Sequence, residues 1–314
     1  MSKDRKPIVS TIIPVYNRTE TLVRAVQSVL DQTYKSFEII IVNDGSTIGE
    51  FESIKSKLLN MDERIRVIDH IVNRGASAAR NTGAKNARGE LLAFLDSDDE
   101  WLPEKLEMQV NIMKDNHEVG MVSTGFYFID VNKNVKNVHY PKCKHDWLEC
   151  LFYSNAIGTT STILLSRECF EKVGGFNENF VSCQDWEFYL KIAKKYKISV
   201  IKKPLVNYWY HGKSISGNYE KVLKGHLSIL DEIMNIIHES EHSNLRRKIY
   251  SFHQMKIGNI HMHFGNTKLA KKSFIKSFFI NPTNIQSLLM FLLSIFGKRF
   301  YDFSKSVYTK IKGY

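Results

Sequence analysis

Two aspartates, Asp96 and Asp98, follow directly after the apolar run LLAFL, and they are the residues best suited to carry chemistry. Because the side chains of an extended segment alternate in direction, two carboxylates spaced this way fall on one side of the chain. Carboxylates held so close repel each other unless a cation or a proton lies between them. Oxygen ligands favour Mg²⁺ or Mn²⁺, and Mg²⁺ characteristically joins one or two carboxylates to a substrate phosphate. The pattern therefore predicts a divalent-metal site that holds a phosphate-bearing substrate.

The structural alternative for this cluster is an N-cap for a helix that begins near Pro103. A cap needs only one acid, whereas three follow LLAFL, namely Asp96, Asp98 and Asp99. The excess of carboxylates favours the metal site over the cap.

Three further residues are candidates for binding a nucleotide. Asp44 follows the run EIIIVN and is either a turn former or an acceptor for a hydrogen bond from a base N–H. Tyr16 offers a ring face on which a base can stack. Arg80, on a helix that Gly75 opens, could hold a phosphate or a base, although a solvated helix face is the favoured interpretation of this arginine taken alone.

Apolar periodicity in the first hundred residues alternates between strand and helix. Strands are predicted over residues 8–15, 37–42, 65–68 and 90–95, and helices over 19–32, 50–60 and 75–87. Strands that alternate with helices form parallel βαβ units with right-handed crossovers, and ligands bind at the carboxyl ends of such strands. The polar clusters follow these strand ends, so we expect them to meet at one edge of one sheet.

The pattern is less regular after residue 100. Helices are predicted over 103–116 and 185–195, strands over 119–129 and 162–165, and an all-helical segment from residue 219 onward. The loops around 125–160 and 174–184 contain no sequence pattern from which a substrate can be identified.

Charge is distributed unevenly along the 314 residues, which carry a formal net charge of +11. Residues 241–314 contain thirteen Lys or Arg and only two acids, so the rest of the chain is neutral overall. A hydrophobic fraction of 43% is enough for a core and excludes a disordered chain. A neutral body with a basic end points as readily to anionic lipid as to nucleic acid.

Cysteine spacing and the N-terminal sequence indicate the cellular compartment in which the protein is expected. None of the four cysteines forms a C-x-x-C pair, which argues against a zinc site: Cys143, Cys150, Cys169 and Cys183. The N-terminus lacks the apolar region and cleavage site of a signal peptide, so reduced thiols in a cytoplasmic protein are expected. The apolar run Leu288–Phe296 has nine residues, far fewer than the ~20 that a transmembrane helix needs.

Five blocks in order, IIPVYN, VNDGS, NRGASAARNTG, GELLAFLDSDD and QDWEFYLKIA, resemble a family 2 inverting glycosyltransferase with the GT-A fold. The resemblance covers residues 7–215. It implies an α/β fold, a Rossmann-like mixed sheet flanked by helices, in residues 1–218, with a nucleotide-binding half over 1–99 and an acceptor-binding half over 100–218. Residues 219–314 are then a basic, amphipathic helical extension.

The resemblance also implies roles for particular residues. The nucleotide-binding set is Pro14, Tyr16, Asn17, Asp44, Arg80 and Asp96. Asp98 is expected to bind Mn²⁺ or Mg²⁺, and His211, in the late block YWYHGKSIS, to touch the metal or the diphosphate; a surface-loop histidine is the alternative. Asp185 matches the general base of the family's E-D-W block, which reads QDW here, so Gln184 replaces the first acid.

The expected activity is transfer of a sugar from a nucleotide-diphosphate donor, usually a UDP-sugar, to a hydroxyl of a glycan or lipid-linked glycan. Relatives of this kind act in bacterial surface polysaccharide assembly (O-antigen, capsule or lipopolysaccharide) on the cytoplasmic face of the membrane. The basic, partly apolar segment 285–314 is accordingly expected to dock peripherally on an anionic membrane. For the helices before residue 280, docking and packing on the catalytic domain remain equal alternatives.

Two rival functions remain. A non-catalytic nucleic-acid-binding protein would use the basic end but leaves DSDD unexplained, and no nucleic-acid partner is expected. A sugar nucleotidylyltransferase would need a Gly-rich Arg/Lys loop after the first strand, where this chain has VYNRTET.

Overall fold

The structure is a computed structural model, and it describes residues 8–116, 118–130, 132, 135–210, 217–238, 243–302 and 304. The chain divides into two compact units. The first, here called the sheet unit, comprises Met1–Asn179 and Gln184–Gly212. The second, the helical unit, comprises Phe180–Cys183 and Lys213–Tyr314.

Four parallel strands form the first half of the sheet unit: β1 Val9–Val15, β2 Phe37–Asp44, β3 Ile65–His70 and β4 Leu91–Phe94. They lie in the order β3-β2-β1-β4. All eight residues of β2 are buried, as expected for a parallel strand that is covered on both faces. The predicted parallel βαβ half is therefore confirmed.

Three helices connect these strands: α1 Thr19–Leu30, α2 Ile48–Met61 and α3 Ala76–Lys85. Side chains at helical spacing on α1, among them Leu22, Val26 and Val29, are buried in the core beneath the sheet. Burial of one stripe fixes each helix against the sheet, so the loops at the strand ends are held at one edge.

The second half of the sheet unit is a mixed extension of the same sheet. Its elements are β5 Glu100–Trp101, α4 Lys105–Asp115, β6 Val119–Asp130, β7 Val135–His139, α5 Trp147–Leu151, a 3₁₀ turn Thr160–Thr162, β8 Leu164–Ser166, α6 Arg167–Val173, α7 Gln184–Ala193 and β9 Lys197–Tyr210. The sheet continues from β4 in the order β8-β6-β9-β5, with β7 paired to β6. β8 is antiparallel to β4 and β6, whereas β9 runs parallel to β6.

Several of these elements were not predicted. All five residues of β7 are exposed, so the strand has no apolar alternation that a sequence could reveal. β9 contains Lys202-Lys203-Pro204, and its pairing with β6 shifts register near that point. The strand predicted over 162–165 begins instead as the 3₁₀ turn and becomes β8 only at Leu164.

A disulfide joins Cys143 to Cys150, whose Cα atoms are 5.8 Å apart, whereas Cys169 and Cys183 are not disulfide-bonded. The expectation of reduced thiols is therefore wrong for this pair. The two cysteines are seven positions apart, and the turn into α5 brings the second back onto the first.

The helical unit contains α8 Tyr219–His238, α9 Ser243–His263, α10 Thr267–Ile280 and α11 Ile285–Ile295. A core that includes Met255, Phe274, Met290 and Tyr301 joins its last three helices. Apart from the short turns between these helices, the described residues beyond 219 are thus helical, as predicted. Over the described parts of the chain, no helix is both long enough and apolar enough to cross a membrane.

Candidate active site

Parallel pairing brings the polar clusters of the first half to one sheet edge. Val15 at the end of β1 lies opposite Asn43, and Asp44 at the end of β2 lies opposite His70. β4 is paired to the other side of β1 and ends just before Asp96. The strand ends therefore position the candidate residues as neighbouring groups along this edge.

The buried carboxylate of Asp44 organises the loop between β3 and α3. Its oxygens accept hydrogen bonds from the backbone N–H groups of Arg74 at 3.0 Å and Gly75 at 2.8 Å. His70 lies 2.7 Å away through Nδ1 and contacts Thr82 through Nε2 at 2.9 Å. Asp44 thus fixes the start of α3, and one oxygen keeps capacity for a further hydrogen bond.

The expected nucleoside side of the edge is formed by the loop after β1. Asn17 has a left-handed backbone (φ 49°), and its side chain accepts a hydrogen bond from the N–H of Thr47 at 2.9 Å. Its own N–H donates to Ser46 at 3.0 Å. Pro14 is part-buried in β1, whereas Tyr16 is 48% exposed at the edge. The two loops are therefore tied together beside an accessible aromatic ring.

Arg80 and Asp96 form an ion pair at 2.5 Å, and the hydroxyl of Thr160 lies 3.3 Å from the same carboxylate. The Arg80 guanidinium also lies 5.4 Å from the ring centre of Phe176. The residue is 7% exposed, so the solvated helix face that we favoured for Arg80 alone is wrong. Its Nε has no hydrogen-bond partner among the described residues.

Asp185 lies in the first turn of α7, where two donors hold its carboxylate. The backbone N–H of Trp186 donates at 2.8 Å, and the amide of Asn155 donates to the other oxygen at 2.7 Å. Burial raises the pKa of Asp185, and the charge of Asp96 adds to this; the Trp186 N–H and the charge of Arg80 oppose it. The structure therefore brings the predicted base into electrostatic contact with the Arg80–Asp96 pair.

The two remaining acids of DSDD differ in environment. Asp98 pairs with the guanidinium of Arg18, and its carbonyl accepts a hydrogen bond from Arg24 at 3.0 Å. Asp99 is buried, and it accepts hydrogen bonds from Ser161 Oγ at 2.6 Å and, more weakly, from a backbone N–H of β9. Burial, followed by the charge of Asp96, raises the pKa of Asp99 well above the usual carboxyl range.

The N-cap role considered for the aspartates of DSDD is wrong, because α4 starts at Lys105 and Glu104 stands at its N-cap position.

Among the described residues, no group of three or more His, Cys, Asp or Glu side chains is arranged to hold a metal, and His211 lies outside the described residues. Asp98 nevertheless fits a hard cation, because its partly exposed carboxylate already attracts the exposed guanidinium of Arg18. A cation held by one carboxylate would take its other ligands from a diphosphate and water.

Sequence reasoning missed several residues that complete the site. Nothing in the loop sequence marked Asn155. Tyr189 lies one helical turn after Asp185, a spacing that places both on one helix face. Its buried hydroxyl has no hydrogen-bond partner among the described residues, and burial, then the charge of Asp185, raises the Tyr189 pKa well above its usual range.

The sequence matches the family described as Glycosyl transferase family 2 over residues 10–174. The chain is also 31% identical over 275 residues to a UDP-Glc:alpha-D-GlcNAc-diphosphoundecaprenol beta-1,3-glucosyltransferase (WfgD) of Escherichia coli, covering 84% of this chain and 98% of that one. The protein therefore belongs to glycosyl transferase family 2.

Two further similarities extend this result. A putative teichuronic acid biosynthesis glycosyltransferase (TuaG) of Bacillus subtilis is 34% identical over 227 residues, which are 70% of this chain and 85% of that one. The solved structure of the mannosyltransferase PcManGT from Pyrobaculum calidifontis, in complex with GDP-Man and Mn²⁺, superposes with a TM-score of 0.61 at 17% identity, over 87% of this chain and 76% of that one. The expected GT-A fold, with additional C-terminal helices, is confirmed.

Proposed function

We propose that the protein is a metal-dependent, inverting glycosyltransferase that moves a sugar from a UDP-sugar to a hydroxyl of a lipid-linked glycan in bacterial surface polysaccharide assembly. The observation that carries this is the position of Asp185, a carboxyl of raised pKa held by Asn155 beside the Arg80–Asp96 pair. The similarity to WfgD, a glucosyltransferase that acts on a GlcNAc-diphosphoundecaprenol, and to TuaG, a putative teichuronic acid biosynthesis glycosyltransferase, supports the substrate class.

The first half of the sheet unit, residues 1–99, would bind the nucleotide and residues 100–218 the acceptor. Pro14 and Tyr16 would receive the base, with Asn17 and Asp44 holding the loops around it. Arg80 would orient Asp96 toward the ribose or the donor sugar. This division is supported by the hydrogen bonds that tie the loops after β1, β2 and β3 into one edge.

Asp185 would act as the general base. Its carboxylate oxygens accept hydrogen bonds from Asn155 and Trp186 and keep acceptor capacity, so Asp185 can take the proton of the acceptor hydroxyl as that oxygen attacks the anomeric carbon. The bond from the anomeric carbon to the diphosphate breaks, and UDP leaves with the electron pair. One displacement inverts the anomeric centre, so a single base suffices, whereas retention by double displacement needs a second carboxylate as nucleophile.

Asp98 and His211 would hold Mn²⁺ or Mg²⁺ on the donor diphosphate. A bound divalent cation neutralises negative charge that develops on the leaving group. Arg18 must then release the Asp98 carboxylate, which its own exposure permits.

A screen of nucleotide sugars tests this proposal, with full-length protein, with and without Mn²⁺. We expect one donor to raise the melting temperature and to be hydrolysed slowly, because a ligand stabilises by RT ln(1 + [L]/Kd). Transfer to a glycan should give a product of inverted anomeric configuration by NMR. Stabilisation by none of the donors, or a product of retained configuration, would contradict the proposal.

We also propose that α11 docks on the inner face of the cell membrane. Apart from Gln286, the exposed residues of this helix are apolar, among them Ile285, Leu289 and Leu292, whereas its buried face includes Ser287 and Ser294. A helix whose outer face lies in water has the opposite arrangement, with polar residues exposed and apolar residues buried. Phe296 and Phe300 extend the apolar row, and they flank Lys298 and Arg299.

An anionic membrane matches this surface, because acyl chains accept the apolar row and headgroups attract the cations at ~1 kcal/mol each. Point variants are the right probe, because truncation before α11 would remove Met290 and Tyr301 from the helical core. We expect the double variant Leu289→Ser/Leu292→Ser to lose cosedimentation with phosphatidylglycerol-containing vesicles at low salt. The control Gln286→Ser, on the same helix, should bind as the parent does. Failure of the parent protein to bind such vesicles would refute the docking proposal.

A further inference from the structure

One face of the second half of the sheet is covered with aromatic rings. Phe128 of β6 is opposite Tyr208 of β9, and Phe126 is opposite His139 of β7. Tyr210, two residues after Tyr208, shares its side of the strand. Ring centres lie 5.1 Å apart for Phe126 and His139, 5.8 Å for Phe128 and Tyr208, and 5.7 Å for Phe128 and Tyr210. These five residues are here called the aromatic face.

The aromatic face begins at the acidic site. Burial raises the pKa of Tyr208, and the charges of Asp99, Asp96 and Asp185 add to this in that order. The next residue of β9, Trp209, donates its backbone N–H to the Asp99 carboxylate at 3.3 Å. Tyr208 therefore lies close to the carboxyl groups that follow β4, although β9 is three positions removed from β4 in the sheet.

The loop that holds the base also packs on this face. Gly158 has φ +110°, and a Cβ placed there would lie 2.9 Å from Cε1 of Phe126. The side chain of Asn155 bonds the N–H and the carbonyl of Gly158 at 3.0 Å each, and the same amide donates to Asp185. A continuous set of contacts thus runs from Phe126 through the loop to the base.

The disulfide fixes the outer border of this region. Cys143 and Cys150 lie on the segment that leads from β7 to the loop of Asn155. The backbone N–H of Lys142 also donates to the carbonyl of Ala156 at 3.1 Å. The disulfide therefore closes the segment between β7 and the base-holding loop, and the Lys142–Ala156 hydrogen bond joins the two ends of that segment.

The chemistry of the face suits a sugar ring. All five aromatic residues are at least partly exposed, and His139 and the two tyrosines add polar groups to apolar surface. Pyranose rings combine an apolar C–H face with a rim of hydroxyl groups. A sugar can therefore pack its C–H face on the aromatic rings and, at the same time, form hydrogen bonds with the polar groups of His139 and the tyrosines. Small-ligand sites have this mixture of aromatic lining and few polar contacts.

We propose that the aromatic face is the platform for the acceptor glycan, on which the sugar that precedes the reacting hydroxyl packs between Phe128 and Asp185. The inference rests on the proposed function and names a subsite for it. The nucleoside is the less suitable occupant, because its expected pocket is at β1 and β2, separated from the face by β4 and β8. A polyprenyl chain offers no partners for the polar groups, so the glycan is favoured.

The test is Phe128→Ala in the full-length protein, with Tyr127→Ala as its matched control. Tyr127 is the adjacent residue on the opposite side of β6, where its ring contacts Lys136. Because Phe128 is partly packed, His139→Ala on the exposed β7 provides a second variant that spares the core. Melting temperatures establish that all three variants are folded.

The probe is an array of immobilised bacterial surface oligosaccharides, read with UDP and Mn²⁺ present. We expect the parent protein to bind at least one glycan, Phe128→Ala to bind it at least about tenfold more weakly, His139→Ala to bind it several-fold more weakly, and Tyr127→Ala to match the parent within twofold. Absence of glycan binding by the parent, equal binding by Phe128→Ala, or displacement of the glycan by farnesyl diphosphate alone would overturn the proposal.

Measurement of donor hydrolysis distinguishes failure of the aromatic-face proposal from failure of the proposed function. If the parent hydrolyses a UDP-sugar while glycan binding is insensitive to Phe128→Ala, only the platform is wrong. If no nucleotide sugar binds or is hydrolysed, the glycosyltransferase assignment of the site itself fails.

Discussion

The two halves of the sheet differ in the side chains that they present at the candidate site. In the half built from β1 to β4, polar side chains are buried and tied to one another, as Asp44 is to the loop before α3. In the half built from β6, β7 and β9, a partly exposed aromatic surface meets the acids at Tyr208. The first arrangement suits a ligand of fixed shape and charge, such as a nucleoside diphosphate. The second combines apolar ring surface with a few polar groups, and it suits a glycan.

The largest effect is expected for Asp98→Ala, which removes the one acid of the cluster that pairs with an exposed cation. Metal-dependent turnover should fall ~10³-fold, the cost of losing a group that stabilises leaving-group charge. Donor affinity should lose its dependence on Mn²⁺, whereas the melting temperature should change little because removal of one carboxylate relieves repulsion. Calorimetry with and without Mn²⁺ checks this; full activity in the variant would break the assignment of the first half.

Asn155→Ala probes the hydrogen bond that holds Asp185 within the second half. Asp185 acts only when ionised, so activity rises with pH as this group loses its proton. Loss of a donor to the carboxylate destabilises the charged form, and the pKa of Asp185 should rise further. The acid limb of the rate profile should therefore move to higher pH, with a loss of ~10-fold near neutrality. Asn116→Ala, at an exposed turn, is the control; an unshifted acid limb would show that Asn155 is not a positioning residue.

The disulfide offers a way to perturb one half alone. Cys143→Ser/Cys150→Ser should lower the free energy of unfolding by ~2 kcal/mol, because the crosslink restricts a short loop of the unfolded chain. Donor affinity should stay unchanged, since the nucleotide loops lie on other strands, while acceptor affinity should fall. Urea unfolding and donor titration measure the two effects, and equal losses of donor and acceptor binding would show that the halves are not independent.

The smallest effect is expected for Lys105→Met. Lys105 is fully buried, its ammonium donates to Gln109 at 2.7 Å, and burial lowers its pKa well below the usual range. The unfolded chain therefore binds a proton more tightly than the folded one, which costs stability as pH falls below the ordinary lysine pKa. The variant should gain ~1 kcal/mol over the parent at pH 6 and less at pH 9, by urea midpoints, with activity retained. A loss of activity without a loss of stability would instead assign Lys105 to the reaction.

The first half could be predicted because its signals are local. Buried parallel strands such as β2 are apolar along their whole length, and polar residues must follow where the strands end. The second half could not be predicted in the same way, because its strands are defined by pairing with distant strands and lack a regular apolar pattern. β7 is exposed throughout, and β9 is interrupted by Lys202-Lys203-Pro204. Asn155 becomes significant only because the loop returns to α7, a contact that spans thirty positions of sequence.

The buried state of Arg80 illustrates the same limit. Helical spacing alone favoured a solvated side chain, since the charge on a helix usually faces water. The partner that draws it inward, Asp96, lies after another strand and becomes its neighbour only when β4 pairs with β1. The resemblance to the family assigns Arg80 to the nucleotide, a role that stays a prediction, and it did not indicate the pairing with Asp96.

Asp185→Asn tests the role of Asp185 as the base of an inverting transfer. The amide keeps the shape of the side chain but cannot take the proton of the acceptor hydroxyl. With Glu171→Gln, an exposed acid on α6, as the control, donor affinity by calorimetry is compared with the initial rate of transfer. The account predicts an unchanged donor Kd and a rate reduced by at least ~10²-fold; parallel loss of donor affinity and rate, or full activity, would contradict it.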